Sequence, residues 1–176
     1  MAKPGSQPTT SQRAGRSAAD EGAGRAASPG AVDAGISTKD ILHECLYFTA
    51  NALARCMNRM AEEAFRTTGL SPSHAFLLML VIERPGTAQK DLGESLQLAP
   101  STITRLVDAL IHRDLVTRTS VGRTTTVFPT DAGRRLLPAI HDAWWRLRQR
   151  YVSRLGEADG EELTRKIDDA QERLDG

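Results

Sequence analysis

The chain has 176 residues, of which 40% are hydrophobic and 26% charged, with a formal net charge of +1. This accommodates one globular domain of roughly 140 residues plus a tail. No run approaches the ~18 apolar residues that a membrane crossing needs, and no apolar secretory core opens the chain. The two cysteines argue for reduced thiols and against a disulfide framework, so the expectation is a cytoplasmic protein without membrane contact.

Residues 1–36 are dominated by Ala, Gly, Ser and Pro and contain neither leucine nor an aromatic residue. Such a stretch buries too little apolar area to offset the entropy of ordering, and it reads as a disordered tail. Lys3, Arg13, Arg16 and Arg25 are nearly balanced by Asp20, Glu21 and Asp33, so the tail carries little net charge.

Helical structure is expected from Ser37, which can cap, with Asp40 completing a box-like pattern. Leu42, Leu46, Thr49, Leu53, Cys56, Met57, Met60 and Phe65 then make a broad apolar face, read as continuous over nearly thirty residues. A face of that length needs a partner surface.

Between Thr87 and Gly133 the patterning changes period twice. Ala88, Leu92 and Leu96 recur at spacing four, placing Gln89, Lys90 and Glu94 on the opposite side of a short helix. A second helix opens at Ala99-Pro100, where proline suits the first helical position. It carries the stripe Ile103, Leu106, Val107, Leu110 and Ile111. Its other face begins with Ser101, Thr102, Thr104 and Arg105. Hydroxyls donate to phosphates or base edges, arginine forks onto guanine, and a helix N-terminus favours phosphate.

After Asp114, the runs Leu115–Thr119 and Thr124–Phe128 are rich in β-formers and are hinged at Gly122. Arg118 and Arg123 flank the turn, and Thr130-Asp131 supplies the next helix cap. Helix, turn, helix and hairpin in this order are the layout of a winged helix-turn-helix.

Residues 100–135 hold six arginines (Arg105, Arg113, Arg118, Arg123, Arg134, Arg135) against three acids (Asp108, Asp114, Asp131). Positive charge is thus sorted toward the proposed contact surface although the whole chain is nearly neutral. The candidate DNA-contact set is Gln89, Lys90, Pro100, Ser101, Thr102, Thr104, Arg105, Arg118, Arg123 and Thr124. Fold alone does not establish DNA binding, and a winged-helix protein-interaction module is the alternative reading.

The C-terminal part repeats the demand for a partner. Leu136, Leu137, Ile140, Trp144, Leu147, Tyr151, Val152 and Leu155 stripe one long helix, and Leu163, Ile167 and Leu174 stripe another for which Asp159 is the expected cap.

Three segments resemble the MarR family of bacterial transcriptional regulators: GLSPSHAFLLMLV (69–81), LAPSTITRLVDALIHRDLV (98–116) and FPTDAGRRLL (128–137). The resemblance implies a mainly α fold with a small β-hairpin wing. It divides the chain into a tail (1–36) and one domain (37–176), with dimerisation helices at 37–68 and 131–176 around a winged helix-turn-helix at 71–130. It also implies a homodimer whose two reading helices address a pseudo-palindromic double-stranded operator, and a regulator, expected to repress, that lets go of DNA on a signal. One departure is visible: many members carry an aspartate two residues before the wing arginine, where this chain has Val121-Gly122-Arg123.

Two routes remain open for the signal. The family's aromatic effectors imply a crevice that Phe48, Met57, Met60, His74 and Trp144 are candidates to line. Alternatively, ILHECLYFTANAL is similar to the first-helix segment of the peroxide-sensing OhrR branch, which makes Cys45 a candidate redox residue. On a straight helix Cys56 lies about 16 Å further along the axis, too far for an intrachain bridge. His43, Glu44, His74, His112 and His141 are scattered without metal-ligand spacing. No phosphate-binding loop or nucleophile elbow is present, so no cofactor, metal or catalytic activity is expected.

Overall fold

A computed structural model describes residues 37–122 and 124–175. The tail expected over 1–36 and the wing residue Arg123 lie outside the described residues. Of the described residues, 42–122 and 124–175 make up one compact unit. The elements in chain order are α1 (Thr38–Glu44), α2 (Leu46–Phe65), a 3-10 turn (Arg66–Thr68), α3 (Pro72–Glu83), β1 (Thr87–Ala88), α4 (Gln89–Leu96), α5 (Pro100–His112), β2 (Val116–Val121), β3 (Thr124–Pro129), α6 (Asp131–Leu155) and α7 (Glu157–Asp175).

The expected cap at Ser37 is present. Asp40 N donates to Ser37 Oγ and Ser37 N donates to Asp40 Oδ2, at 3.2 and 3.3 Å, the reciprocal pattern of a capping box. The continuous first helix is not. It breaks at Cys45, whose backbone is extended (φ −81°, ψ 113°), and a new helix starts when Thr49 N and Oγ1 both donate to the Cys45 carbonyl, each at 3.0 Å. No proline or glycine marks this break in the sequence.

The core forms around α3, which is apolar on every side and packs on α2, α4, α5, α6 and β3. Ala75, Leu77, Leu78 and Val81 are fully enclosed, together with Phe65, Ile103, Val107, Leu110, Val127 and Ile140. Each large side chain so enclosed contributes about 1.5–3 kcal/mol relative to exposure. Ser71 caps α3, accepting from His74 N, and Pro72 occupies its first turn. Only the C-terminal end of α2 joins this core, through Met60, Ala61, Ala64 and Phe65.

The sheet has three antiparallel strands in the order β1-β3-β2. β2 and β3 form the expected hairpin, with Val116 opposite Pro129 and Val121 opposite Thr124. Gly122 turns the chain with a φ of 60° and open space around it, a conformation that suits a residue without a Cβ. β1 is an addition to the sequence reading: Ala88, expected on the α4 face, instead pairs with Thr126, and Thr87 pairs with Val127.

Thr130 caps α6. Its hydroxyl accepts from Gly133 N at 3.0 Å and donates to the Asp114 carbonyl at 2.6 Å, so one side chain ties the helix start to the end of α5. α6 then runs through Pro138 without ending. The corner into α7 is made by Gly156, with φ of 87°. α7 therefore starts at Glu157, and Asp159, expected as its cap, sits inside the first turn.

Candidate nucleic-acid interface

The turn between α4 and α5 is set by backbone geometry. Gln97 takes the left-handed conformation (φ 53°), and Leu98 N donates to the Gly93 carbonyl at 3.0 Å, closing α4. α5 begins with Ala99 in the cap position and Pro100 in the first turn. Its inner stripe, Ile103, Val107 and Leu110, is at most 1% exposed. At 100° per residue, Ser101, Arg105, Asp108 and His112 fall on the opposite side, and all four are exposed.

The candidate contact residues divide into two groups. Ser101, Arg105, Pro100, Lys90 and Thr124 are exposed, and Thr102 is half-buried beside them. Arg105 pairs with no acid among the described residues, whereas Lys90 makes an exposed i,i+4 pair with Glu94 at 3.3 Å. The second group is occupied within the protein. Gln89 Nε2 donates to Thr104 Oγ1 at 2.7 Å, and Thr104 Oγ1 donates to the Pro100 carbonyl at 2.9 Å. This ties the first turn of α4 to the first turn of α5. Arg118 Nη1 donates to Asp108 Oδ1 and forms an ion pair with it.

Sequence reasoning missed Asp108 as a site residue, although its position three residues after Arg105 already places it on the outward stripe. Arg113, counted there as contact-surface charge, instead donates to the Gly69 carbonyl at 2.6 Å. It fastens the end of α5 to the turn before α3.

The expected effector residues lie on several elements. Met60 is buried, with Arg154 Nη1 3.4 Å from its sulfur. Met57 is half-buried beside the core. Phe48 stands edge-on to His43 at 6.5 Å, and Trp144 is 43% exposed next to Trp145. His74 Nδ1 is 2.7 Å from Ser71 Oγ. Burial, and secondarily the charge of Arg113, hold the His74 imidazole below its usual pKa, which disfavours the charged form that would pair with a carboxylate. Cys45 and Cys56 are both free and half-buried, and the Cys56 sulfur is 3.8 Å from Arg59 Nη2. Among the described residues no group of His, Cys, Asp or Glu gathers that could hold a metal ion. No helix among them is long and apolar enough to cross a membrane.

Residues 70–120, from the start of α3 to the wing, match the model of the MarR family. Over this segment the chain is similar to the MarR family.

The likeness of fold to solved structures extends well beyond the matched segment. The repressor CouR from Rhodococcus jostii RHA1, bound to p-coumaroyl-CoA, is 26% identical, with a TM-score of 0.61 over 76% of this chain and 93% of that one. The M. tuberculosis regulator MOSR in complex with DNA is 19% identical, with a TM-score of 0.67 over 75% of this chain and 97% of that one. The S. aureus MepR–DNA complex is likewise 19% identical, with a TM-score of 0.65 over 74% of this chain and 98% of that one. No curated protein matches the chain.

Proposed function

We propose that this protein is a sequence-specific double-stranded DNA-binding transcriptional regulator. The observation that carries the reading is the two-sidedness of α5. Its inner stripe is sealed in the core, while Ser101 and Arg105, which pairs with no acid among the described residues, stand exposed at the end where the helix dipole favours phosphate. The wing strand β2 packs beside this helix, with β3 paired to it. Two solved proteins of the same fold, MepR and MOSR, are described in complex with DNA, which supports the same use of the surface here. The proposed contacts are Ser101, Thr102 and Arg105 toward base edges, and Lys90, Pro100, Thr124 and Arg123 toward the flanking backbone.

A homodimer follows from the faces that one chain leaves uncovered. Leu46 is 67% exposed and Tyr47 78%, on the half of α2 that does not reach the core. Trp144, Trp145, Leu155, Ile167 and Leu174 extend the uncovered apolar surface along α6 and α7. A second copy seated on these helices gives two reading heads for half-sites about one helical turn apart. We read the protein as a cytoplasmic repressor released by a small aromatic ligand, in line with the p-coumaroyl-CoA that CouR holds.

Retention of a labelled duplex at rising ionic strength tests this. Binding that weakens steeply with salt marks phosphate neutralisation, and Arg105→Ala is expected to lose about 1–3 kcal/mol of affinity and to relax base preference at one position. Equal affinity of wild type and Arg105→Ala for the same duplex removes the contact assignment. A wild-type protein that retains no duplex even at low salt removes the DNA-binding reading altogether.

A further inference from the structure

We propose that Arg118 acts on DNA binding through Asp108, by cancelling a carboxylate that lies in the reading face of α5, and not by touching DNA itself. The proposal rests on the DNA-binding reading above. Ser101, Arg105, Asp108 and His112 follow one another along the outward side of α5 at spacings of four, three and four. A carboxylate in the middle of that row faces the phosphates the helix has to approach. Left bare, it opposes the approach, because like charges repel and the dielectric falls as water leaves the contact.

The structure supplies its counter-charge from the neighbouring element. Val116 is buried at 1% exposure, and Arg118, two residues on, shares its face of β2. That face packs against α5. Arg118 is held in register opposite Val127, which is itself fully buried, so the strand under the guanidinium is fixed. From there Nη1 reaches Asp108 Oδ1, while the two side chains remain 45% and 51% exposed. The pair is therefore open to the side from which DNA would come. A guanidinium committed to Asp108 is turned back onto the recognition helix and away from the flanking backbone.

The experiment compares wild type, Arg118→Ala, Asp108→Asn and the double variant on one short duplex recovered by selection on the wild-type protein. Arg118→Ala bares the carboxylate and is expected to bind about tenfold more weakly, whereas Asp108→Asn binds at least as tightly as wild type. The deciding protein is the double variant, expected within about threefold of wild type because the charge that needed cancelling is gone. A double variant as weak as Arg118→Ala makes Arg118 a direct phosphate contact and overturns the proposal, as does wild-type affinity in Arg118→Ala alone. Because both side chains are half-exposed, the fold is expected to survive, and an unchanged melting temperature in all four proteins checks this. If wild type itself retains no duplex in the selection, the DNA-binding reading fails first, and the two failures are told apart.

Discussion

A Cβ built on Gly133 would stand 2.2 Å from the Leu115 carbonyl oxygen, closer than any side-chain atom can approach a backbone. The glycine is what lets the first turn of α6 lie against the start of the hairpin. Gly133→Ala is therefore expected to destabilise the domain by about 1–3 kcal/mol, the range of overpacked cores, measured as a fall in the midpoint of denaturant unfolding. Gly160 shows the reverse case. A Cβ there meets only the Tyr151 ring at 3.8 and 3.9 Å, an ordinary contact. Gly160→Ala is expected to gain up to about 1 kcal/mol from helix propensity, and a loss in the same unfolding assay would show that the α6–α7 corner has no room. The Thr130 cap was legible in the sequence because it uses residues three apart. The need for glycine three residues later was not, since it arises from the Leu115 carbonyl, on the far side of the hairpin in the chain. His74 adds a pH signature. Its folded pKa lies below the unfolded value of 6.5, so the unfolded chain binds more protons in that window and stability falls as pH drops through it. Chemical unfolding at several pH values between neutral and mildly acidic should show His74→Gln losing less stability than wild type on acidification, and parallel curves would discard the assignment.

At the scale of elements, caps and turns explain which boundaries could be read. Thr130 is both the cap of α6 and the donor to the Asp114 carbonyl. Thr130→Ala is expected to lose about 1–2 kcal/mol, the upper part of the N-cap range, while Thr130→Ser keeps most of it; equal losses would mean that the methyl, not the hydroxyl, matters. α5 was legible because its apolar stripe and Pro100 agree. β1 was not, since Thr87 and Ala88 become a strand only by pairing with Val127 and Thr126 some forty residues later. The break at Cys45 was equally silent: periodicity continues across it, and only the extended backbone at that one residue parts α1 from α2. In the candidate interface the sequence marked α5 and the exposed polar residues at its N-terminal end, Ser101 and Arg105. Which of its polar side chains are already engaged, Gln89 with Thr104 and Arg118 with Asp108, depends on contacts between elements that no local spacing encodes.

For the molecule as a whole, the long apolar stripes of α2, α6 and α7 were visible in the sequence, and the structure leaves much of them uncovered at Leu46, Trp144, Leu155, Ile167 and Leu174. Sedimentation is expected to give twice the mass of one chain. Replacing Leu46 and Tyr47 together by aspartate is expected to shift the protein to single chains and to weaken duplex retention by about a hundredfold or more, since two linked half-site contacts become independent ones. Monomeric wild type, or full retention by the single-chain variant, contradicts the dimer. The hydrogen bond from Gln89 to Thr104, with the closed turn at Gln97, has a consequence for the proposed release from DNA. Each reading head is braced internally, so a signal arriving at the long helices has little means of reshaping its tip. In the proposed dimer, what it can alter is the gap between the two tips, as opening a pair of calipers moves the points without bending them.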